Sequence, residues 1–185
     1  MEKNFLAIFD LDGTLFDTRE VNYYAYKEAL AVFEVGLDKD FFLKECNGRH
    51  YTEFLPQIMG SKKHVEDVHR AKKNIYASNL HMARENRHLF EMIKVMAEVY
   101  HTAIVTTASR KNVTDILKYF SHEKLFEFIV TQEDTTRIKP NPQGFVLAMD
   151  YFGASSDRTV IFEDSKVGIE AARATGATVM VINKF

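Results

Sequence analysis

The 185-residue sequence has little that would set it apart from an ordinary globular protein. It contains one cysteine, Cys46, so no internal disulfide can form and a reducing cytosol fits best. No apolar run approaches membrane-spanning length, and the first residues lead into a predicted strand without a signal peptide. The net charge of −2 argues against a nucleic-acid or membrane partner, since both would require a basic surface. We therefore expect a soluble cytoplasmic protein, and a monomer, although the sequence leaves the oligomeric state open.

Alternating strand and helix patterns predict the fold. Five short apolar runs are typical of buried strands, and helical patterns separate the later ones. This order predicts an α/β fold with a doubly wound, Rossmann-like, parallel five-stranded sheet. The predicted strands are Phe5–Phe9, Thr102–Thr106, Phe128–Thr131, Thr159–Phe162 and Thr178–Ile182. An amphipathic helix is predicted before the second strand, over Leu89–Tyr100.

One long helical stretch interrupts this alternation. Residues 17–87 are nearly all helical in pattern and fall between the first and second strands. Within them, a highly charged helical pattern runs from Ser61 to about Glu85. They predict an all-helical cap domain inserted into a core domain made of residues 1–16 and 88–185. Such an insertion would lie at the carboxyl edge of the sheet.

The conspicuous polar residues of the core each follow a predicted strand. Carboxyl ends of parallel strands converge on one crevice, where open α/β sheets bind ligands. Four carboxylates there would repel one another unless a cation lies among them, and an all-oxygen ligand set favours Mg²⁺. Hydroxyl groups and a lysine suit a phosphoryl group. The sequence therefore predicts Mg²⁺-assisted phosphate chemistry, against the alternative of unrelated helix caps and a surface lysine. The residues are Asp10, Asp12, Thr106, Thr107, Ser109, Arg137, Lys139, Glu163, Asp164 and Ser165.

Four segments in this order resemble the motifs of the haloacid dehalogenase superfamily of phosphohydrolases. All-helical insertions between the first two motifs are seen in the subfamily that includes phosphoglycolate phosphatase and β-phosphoglucomutase. The resemblance covers nearly the whole chain. The segments are DLDGT at Asp10–Thr14, IVTTAS at Ile104–Ser109, RIKPNPQGF at Arg137–Phe145 and VIFEDSKVGIEAARATGA at Val160–Ala177.

The resemblance implies a role for each catalytic group. Asp10 would be the nucleophile that forms an aspartyl-phosphate. Asp12 would be the general acid and base, with its backbone carbonyl as a metal ligand. Thr107 would bind a phosphoryl oxygen, with Thr106 as the alternative, and Lys139 would stabilise negative charge.

The resemblance also implies a metal site and substrate contacts. Mg²⁺ would be held by Asp10, Asp12 and Asp164, with Glu163 either a ligand or a support for the ligands. In the cap, Arg49 and His50 would meet the substrate, although an exposed turn is an equally good interpretation of that segment. Further substrate contacts are expected from Thr14 and Ser109.

These roles predict an Mg²⁺-dependent phosphatase that acts on a small-molecule phosphate ester such as a sugar phosphate or phosphoglycolate. Asp12 favours phosphoryl transfer over carbon–halogen cleavage, because displacement of a halide needs no acid on the leaving group. One alternative is a β-phosphoglucomutase-like phosphomutase. Another is a non-catalytic phosphate-binding or regulatory protein, which would have no need of the acid/base Asp12.

Overall fold

The computed structural model describes residues 3–183, and the chain forms two compact units. The core unit comprises the chain up to Asp17 together with the chain from Glu85 onward. The cap unit is Thr18–Arg84. The chain passes from one unit to the other after Asp17 and again after Arg84. The predicted domain boundaries were after residue 16 and before residue 88. No helix in the described part of the chain is long and apolar enough to cross a membrane.

The core unit is built on a five-stranded sheet in the order β5-β4-β1-β6-β7. All four neighbouring pairs run parallel, so the predicted fold class is confirmed. The strands, including two short ones where the chain passes between the units, are β1 (Phe5–Phe9), β2 (Phe16–Asp17), β3 (Arg84–Glu85), β4 (Tyr100–Val105), β5 (Phe128–Val130), β6 (Thr159–Glu163) and β7 (Thr178–Val181).

The described part of the chain contains eight α-helices. Those of the cap unit are α1 (Arg19–Ala31), α2 (Lys39–Phe41), α3 (Tyr51–Met59) and α4 (Val65–Ile75). Those of the core unit are α5 (Arg87–Met96), α6 (Arg110–Tyr119), α7 (Gln143–Phe152) and α8 (Lys166–Arg173).

The central strand β1 explains why the core forms where the sequence pattern places it. Its residues from Leu6 to Phe9 are fully buried, because β4 and β6 flank the strand and α7 packs against it. Leu6 and Ile8 pack in one cluster with Phe145 of α7. Burial of each large apolar side chain contributes about 1.5–3 kcal/mol to folding. The sheet is therefore a rigid base for groups at its carboxyl edge.

The cap unit has its own hydrophobic core, in which α1 packs against α4. The helix α2 continues into a π-helical turn at Phe42–Cys46. The sequence predicted an unbroken helix from Ser61 to about Glu85, which is wrong. The helix α4 ends at Ile75, and a 3₁₀ segment, Tyr76–Met82, follows it. At this point the Ser78 hydroxyl donates to the Ile75 carbonyl at 2.6 Å, a local bond that competes with the helical pattern.

The boundary between α5 and β4 also differs from the prediction. The predicted helix reached Tyr100, whereas α5 ends at Met96 and β4 already begins at Tyr100. Pairing with β1 explains the difference, because Phe5 lies opposite Tyr100 and Leu6 opposite His101. Tertiary pairing thus overrides the end of the amphipathic helical pattern.

Candidate active site

The end of β1 places the first predicted carboxylate at the edge of the sheet. The backbone N–H of Asp10 donates to the Phe162 carbonyl of β6 at 2.9 Å, which continues the sheet by one residue. The Asp10 side chain is almost completely buried. The chain then turns at Gly13, whose φ of 96° favours glycine. Asp12 lies in this turn, half-buried, and forms an isolated bridge with Phe16.

A buried ion-paired cluster joins three strand ends. Lys139 Nζ donates to Asp10 Oδ1 at 2.7 Å and to Glu163 Oε1 at 2.6 Å. The same ammonium donates to the Val105 carbonyl at the end of β4, at 3.1 Å. Only 8% of the Lys139 side chain is exposed, and Glu163 is fully buried. Because charge-assisted hydrogen bonds in a low dielectric are strong, this lysine has one defined position.

The pKa values of Asp10, Lys139 and the neighbouring Asp164 are shifted. Burial raises the pKa of Asp10 well above its usual value, and the charges of Glu163 and Asp164 add to the rise against the opposing effect of Lys139. Burial and then the Glu163 charge raise the pKa of Asp164 to about 6. Burial by itself would lower the pKa of Lys139, but Asp10 and Glu163 outweigh it and the pKa is raised. The site therefore holds a firmly cationic lysine among carboxylates that repel one another.

Two glycines of the motifs, Gly13 and Gly168, leave room for the side chains of Asp164 and Glu163 at the end of β6. A Cβ on Gly168 would lie 1.8 Å from Glu163 Oε1, and one on Gly13 would lie 2.1 Å from Asp164 Oδ2. Glu163 Oε2 accepts from both the backbone N–H and the hydroxyl of Ser165. Both oxygens of Glu163 are therefore engaged within the protein, which favours support of Lys139 over metal ligation as its role.

The acidic cluster fits a divalent cation. Asp10, Glu163 and Asp164 each offer a carboxylate oxygen, and these atoms lie within 4.8 Å of one another. Lys139 forms ion pairs with two of these three carboxylates, so negative charge exceeds the charge of that ammonium. Burial is the largest cause of the raised pKa values of Asp10 and Asp164, and the charges of neighbouring carboxylates add to it. Oxygen donors with no histidine or cysteine are the set that a hard cation prefers.

Both candidate threonines lie near Lys139, at the end of β4. A cavity of about 20 Å³ is lined by Thr106 and Thr107 together with Lys139. Thr106 is buried, and its hydroxyl accepts from the Ala108 N–H at 3.0 Å. Thr107 is half-exposed. Either threonine hydroxyl can donate its proton, so a phosphoryl contact stays a prediction for both Thr106 and Thr107.

The two core residues predicted to bind substrate make contacts within the protein, and their part in substrate binding stays a prediction. Thr14 is fully buried and its hydroxyl donates to Asp164 Oδ1 at 3.3 Å. Ser109 is buried too, and its hydroxyl accepts from the Asn112 N–H at the start of α6. These contacts favour a role in orienting Asp164 for Thr14 and in capping a helix for Ser109.

The predicted cap residues are engaged within the cap unit. Arg49 Nε donates to Glu53 Oε2 at 3.1 Å, and its Nη1 donates to the Glu45 carbonyl at 2.9 Å. His50 Nδ1 lies 2.7 Å from the Thr52 hydroxyl. A role for Arg49 or His50 in substrate binding stays a prediction.

Asn86 was not among the site residues predicted from the sequence. Its side-chain amide donates to the Thr14 carbonyl at 3.3 Å, and its backbone N–H donates to the Leu15 carbonyl at 2.9 Å. Its side-chain oxygen also caps α5 by accepting from Leu89. Asn86 thus fixes the loop that follows Asp12. A helix cap at this point was readable from the sequence, but its second contact was not.

The loop before Lys139 is also fixed to α6. Asp134 accepts from the backbone N–H and hydroxyl of Thr131, and Arg110 forms an ion pair with it. Burial favours a higher pKa for Asp134, but these hydrogen bonds and the Arg110 charge lower it below its usual 3.8. Arg110 also donates its backbone N–H to Glu133 at 3.0 Å.

Comparison with known proteins identifies the family. The chain matches the family model of haloacid dehalogenase-like hydrolases over residues 7–182. It is 27% identical to the phosphorylated carbohydrates phosphatase of Thermotoga maritima, over 92% of this chain and 81% of that protein. It is also 27% identical to the pyrophosphatase PpaX of Halalkalibacterium halodurans, over 95% of this chain and 82% of that protein.

A solved structure agrees with the fold. The phosphate complex of CbbY from Rhodobacter sphaeroides superposes with a TM-score of 0.85 at 24% identity, covering 95% of this chain and 84% of that one. The family match and the phosphatase relatives confirm the predicted enzyme class, a phosphoric monoester hydrolase. The family match also confirms the resemblance drawn from the four motifs, and the chain belongs to the haloacid dehalogenase-like hydrolases.

Proposed function

We propose that this hydrolase is an Mg²⁺-dependent phosphatase of small phosphorylated metabolites, and that it works through a phosphoryl group carried by Asp10. The observation that carries the proposal is the buried contact of Lys139 with both Asp10 and Glu163. A lysine that only stabilised the fold would gain little from a position between two buried carboxylates, because burial of ion pairs is costly. A lysine that offsets charge on a transferring phosphoryl group requires this position.

Asp10 is the proposed nucleophile. Its oxygen would attack phosphorus while the bond from phosphorus to the ester oxygen breaks, and the leaving oxygen would take a proton from Asp12. Water would then attack the phosphorus of the aspartyl-phosphate, with Asp12 as the base that accepts the proton of that water. Free phosphate would leave and Asp10 would be restored. The position of Asp12 two residues after Asp10, in the turn that ends β1, supports this division of roles.

Asp10 and Asp164, together with the backbone carbonyl of Asp12, are the proposed metal ligands. Bound Mg²⁺ would offset the negative charges of the phosphoryl group and the nucleophile. Glu163 would hold Lys139 in place and leave ligation to the other two carboxylates. Thr106 or Thr107 would donate a hydroxyl hydrogen bond to a phosphoryl oxygen.

Sugar phosphates are the proposed substrate class. The relative from Thermotoga maritima is named for phosphorylated carbohydrates, which supports this class. The PpaX relative is named a pyrophosphatase, which makes inorganic pyrophosphate the first competing substrate to test. Contacts from Arg49 and His50 would contribute to substrate specificity.

The test is phosphate release from a panel of esters, with Mg²⁺ and with EDTA. The panel contains hexose phosphates, phosphoglycolate and pyrophosphate. Wild type is compared with Asp10→Asn and Asp12→Asn, and with Asp40→Asn, which makes the same change at an exposed cap residue. We expect Mg²⁺-dependent release that both active-site variants lose and Asp40→Asn retains. Release by Asp10→Asn at the wild-type rate would contradict the proposal, and isomerisation of a hexose phosphate without release would point to a phosphomutase.

A further inference from the structure

Gln143, the first residue of α7, holds the loop that leads to Lys139. Its side-chain oxygen accepts from two successive backbone N–H groups, those of Thr136 at 3.1 Å and Arg137 at 2.8 Å. The Thr136 hydroxyl lies 3.3 Å from both polar atoms of the Gln143 amide. One half-buried side chain thus fixes the two residues that lie two and three positions before Lys139.

The loop is closed by further bonds around Lys139. The Asn141 N–H donates to the Ile138 carbonyl at 2.9 Å, which makes a tight turn with Lys139 inside it. The Asn141 side chain accepts from the Gln143 N–H at 3.0 Å. Bonds on both sides of Lys139 therefore converge on Gln143, which limits the positions open to the lysine backbone.

The start of α7 is itself fixed against β4. A Cβ on Gly144 would lie 2.8 Å from Val105 Cγ1, so the helix approaches the strand as closely as a glycine allows. The carbonyl of Val105 accepts from Lys139 Nζ. Val105 therefore contacts both ends of this arrangement. Its side chain packs against Gly144, next to Gln143, and its carbonyl accepts from the Lys139 ammonium.

We propose that Gln143 is the positioning residue for the Lys139 ammonium, an inference that rests on the proposed function for its effect on turnover. Gln143 acts through the backbone of Thr136 and Arg137 and has no part in the chemistry itself. Misplacement of a charge-stabilising group by about 1 Å costs up to about 100-fold in rate. We expect Gln143→Ala to lower kcat about 10- to 100-fold, with KM changed less than about threefold, because the ammonium stabilises charge that develops in the transition state.

Two variants separate positioning from general stability. Gln143→Glu keeps an oxygen that can accept both N–H groups, and an acidic residue suits the first turn of a helix. The kcat of this variant should therefore lie within about threefold of the wild-type value. Thr159→Val is the control, because it removes a buried hydroxyl bond to the Ser155 carbonyl, 2.8 Å long, at the opposite end of β6 from Glu163. It should lower the melting temperature but leave kcat unchanged.

The deciding measurement is ¹H–¹⁵N NMR of the lysine ammonium groups. Lys139 should give a slowly exchanging resonance, identified by its loss in Lys139→Met. Gln143→Ala should speed its hydrogen exchange at least about tenfold or broaden the resonance away, and Gln143→Glu and Thr159→Val should leave it as in wild type. The inference is overturned by wild-type exchange in Gln143→Ala, by absence of the resonance in wild type, or by failure of Gln143→Glu to restore it. The NMR result needs no substrate, so lack of turnover in wild type would refute the proposed function alone.

Discussion

Replacement of Lys139 by methionine should destabilise the protein strongly. The change keeps most of the apolar stem but removes the hydrogen bonds of 2.7 Å to Asp10 and 2.6 Å to Glu163. Both carboxylates are buried, so water cannot replace the ammonium. Removal of one partner from a buried ion pair costs about 3–5 kcal/mol. For a chain of this length, that corresponds to a melting temperature lower by about 6–20 °C.

A second substitution tests whether uncompensated charge is the cause. Glu163→Gln added to Lys139→Met removes one buried negative charge and keeps an oxygen to accept from Ser165. We expect the double variant to recover about 1–3 kcal/mol of the loss. If the cost of Lys139→Met came from packing instead, the second change would lower the stability further.

The assay is urea unfolding at pH 7 with EDTA, followed by circular dichroism at 222 nm. The matched control is Lys166→Met, because Lys166 is exposed at the start of α8 and its replacement should change the stability by less than about 0.5 kcal/mol. A cost for Lys139→Met within that same limit, or a double variant less stable than the single one, would refute the reasoning.

Further outcomes follow from the geometry. Gly168→Ala should destabilise the fold by about 1–3 kcal/mol because its methyl group would overlap Glu163, whereas Gly36→Ala, with no atom within 4 Å of the added carbon, should change thermal unfolding little. Asp134→Asn should lower the free energy of unfolding by about 1 kcal/mol at pH 7. The folded-state pKa of Asp134 is lowered, so this difference should shrink as the pH of urea unfolding falls below 3.8, and a pH-independent difference would contradict it. Mg²⁺ at about 100 times its Kd should raise wild-type stability by about 2.7 kcal/mol in thermal melts, and the rise should vanish in Asp164→Asn.

The strands and their ends were predictable because the sequence patterns that specify them lie within a few consecutive residues. Apolar runs such as Phe5–Phe9 are typical of strands in a parallel sheet, although the edge strand β7 is largely exposed. A carboxylate that directly follows such a run must lie at the carboxyl edge, which is where Asp10 and Glu163 lie. The convergence of these groups on one lysine is a consequence of strand order, which the alternating pattern constrains strongly.

The errors and omissions arise where the partner is distant in sequence. The start of β4 at Tyr100 depends on pairing with Phe5, which a local helical pattern cannot reveal. The contact of Asn86 with Thr14 spans 72 positions. The helix cap formed by Ser109 was also not predicted, because a serine after a strand suits a helix cap as well as the substrate contact that stays a prediction for it. Local chemistry alone cannot choose between these two roles.

The most direct test of the account is to find the phosphoryl group on Asp10 during turnover. Wild type is mixed with Mg²⁺ and a good substrate from the panel, quenched in acid within milliseconds, and digested for mass spectrometry. If Asp10 carries the phosphoryl group, the peptide that contains Asp10 gains one phosphoryl group, at a level that decays as phosphate is released. The same peptide from Asp10→Asn should stay unmodified. Rapid turnover with no modified peptide at any quench time, or a modification on a different residue, would contradict it.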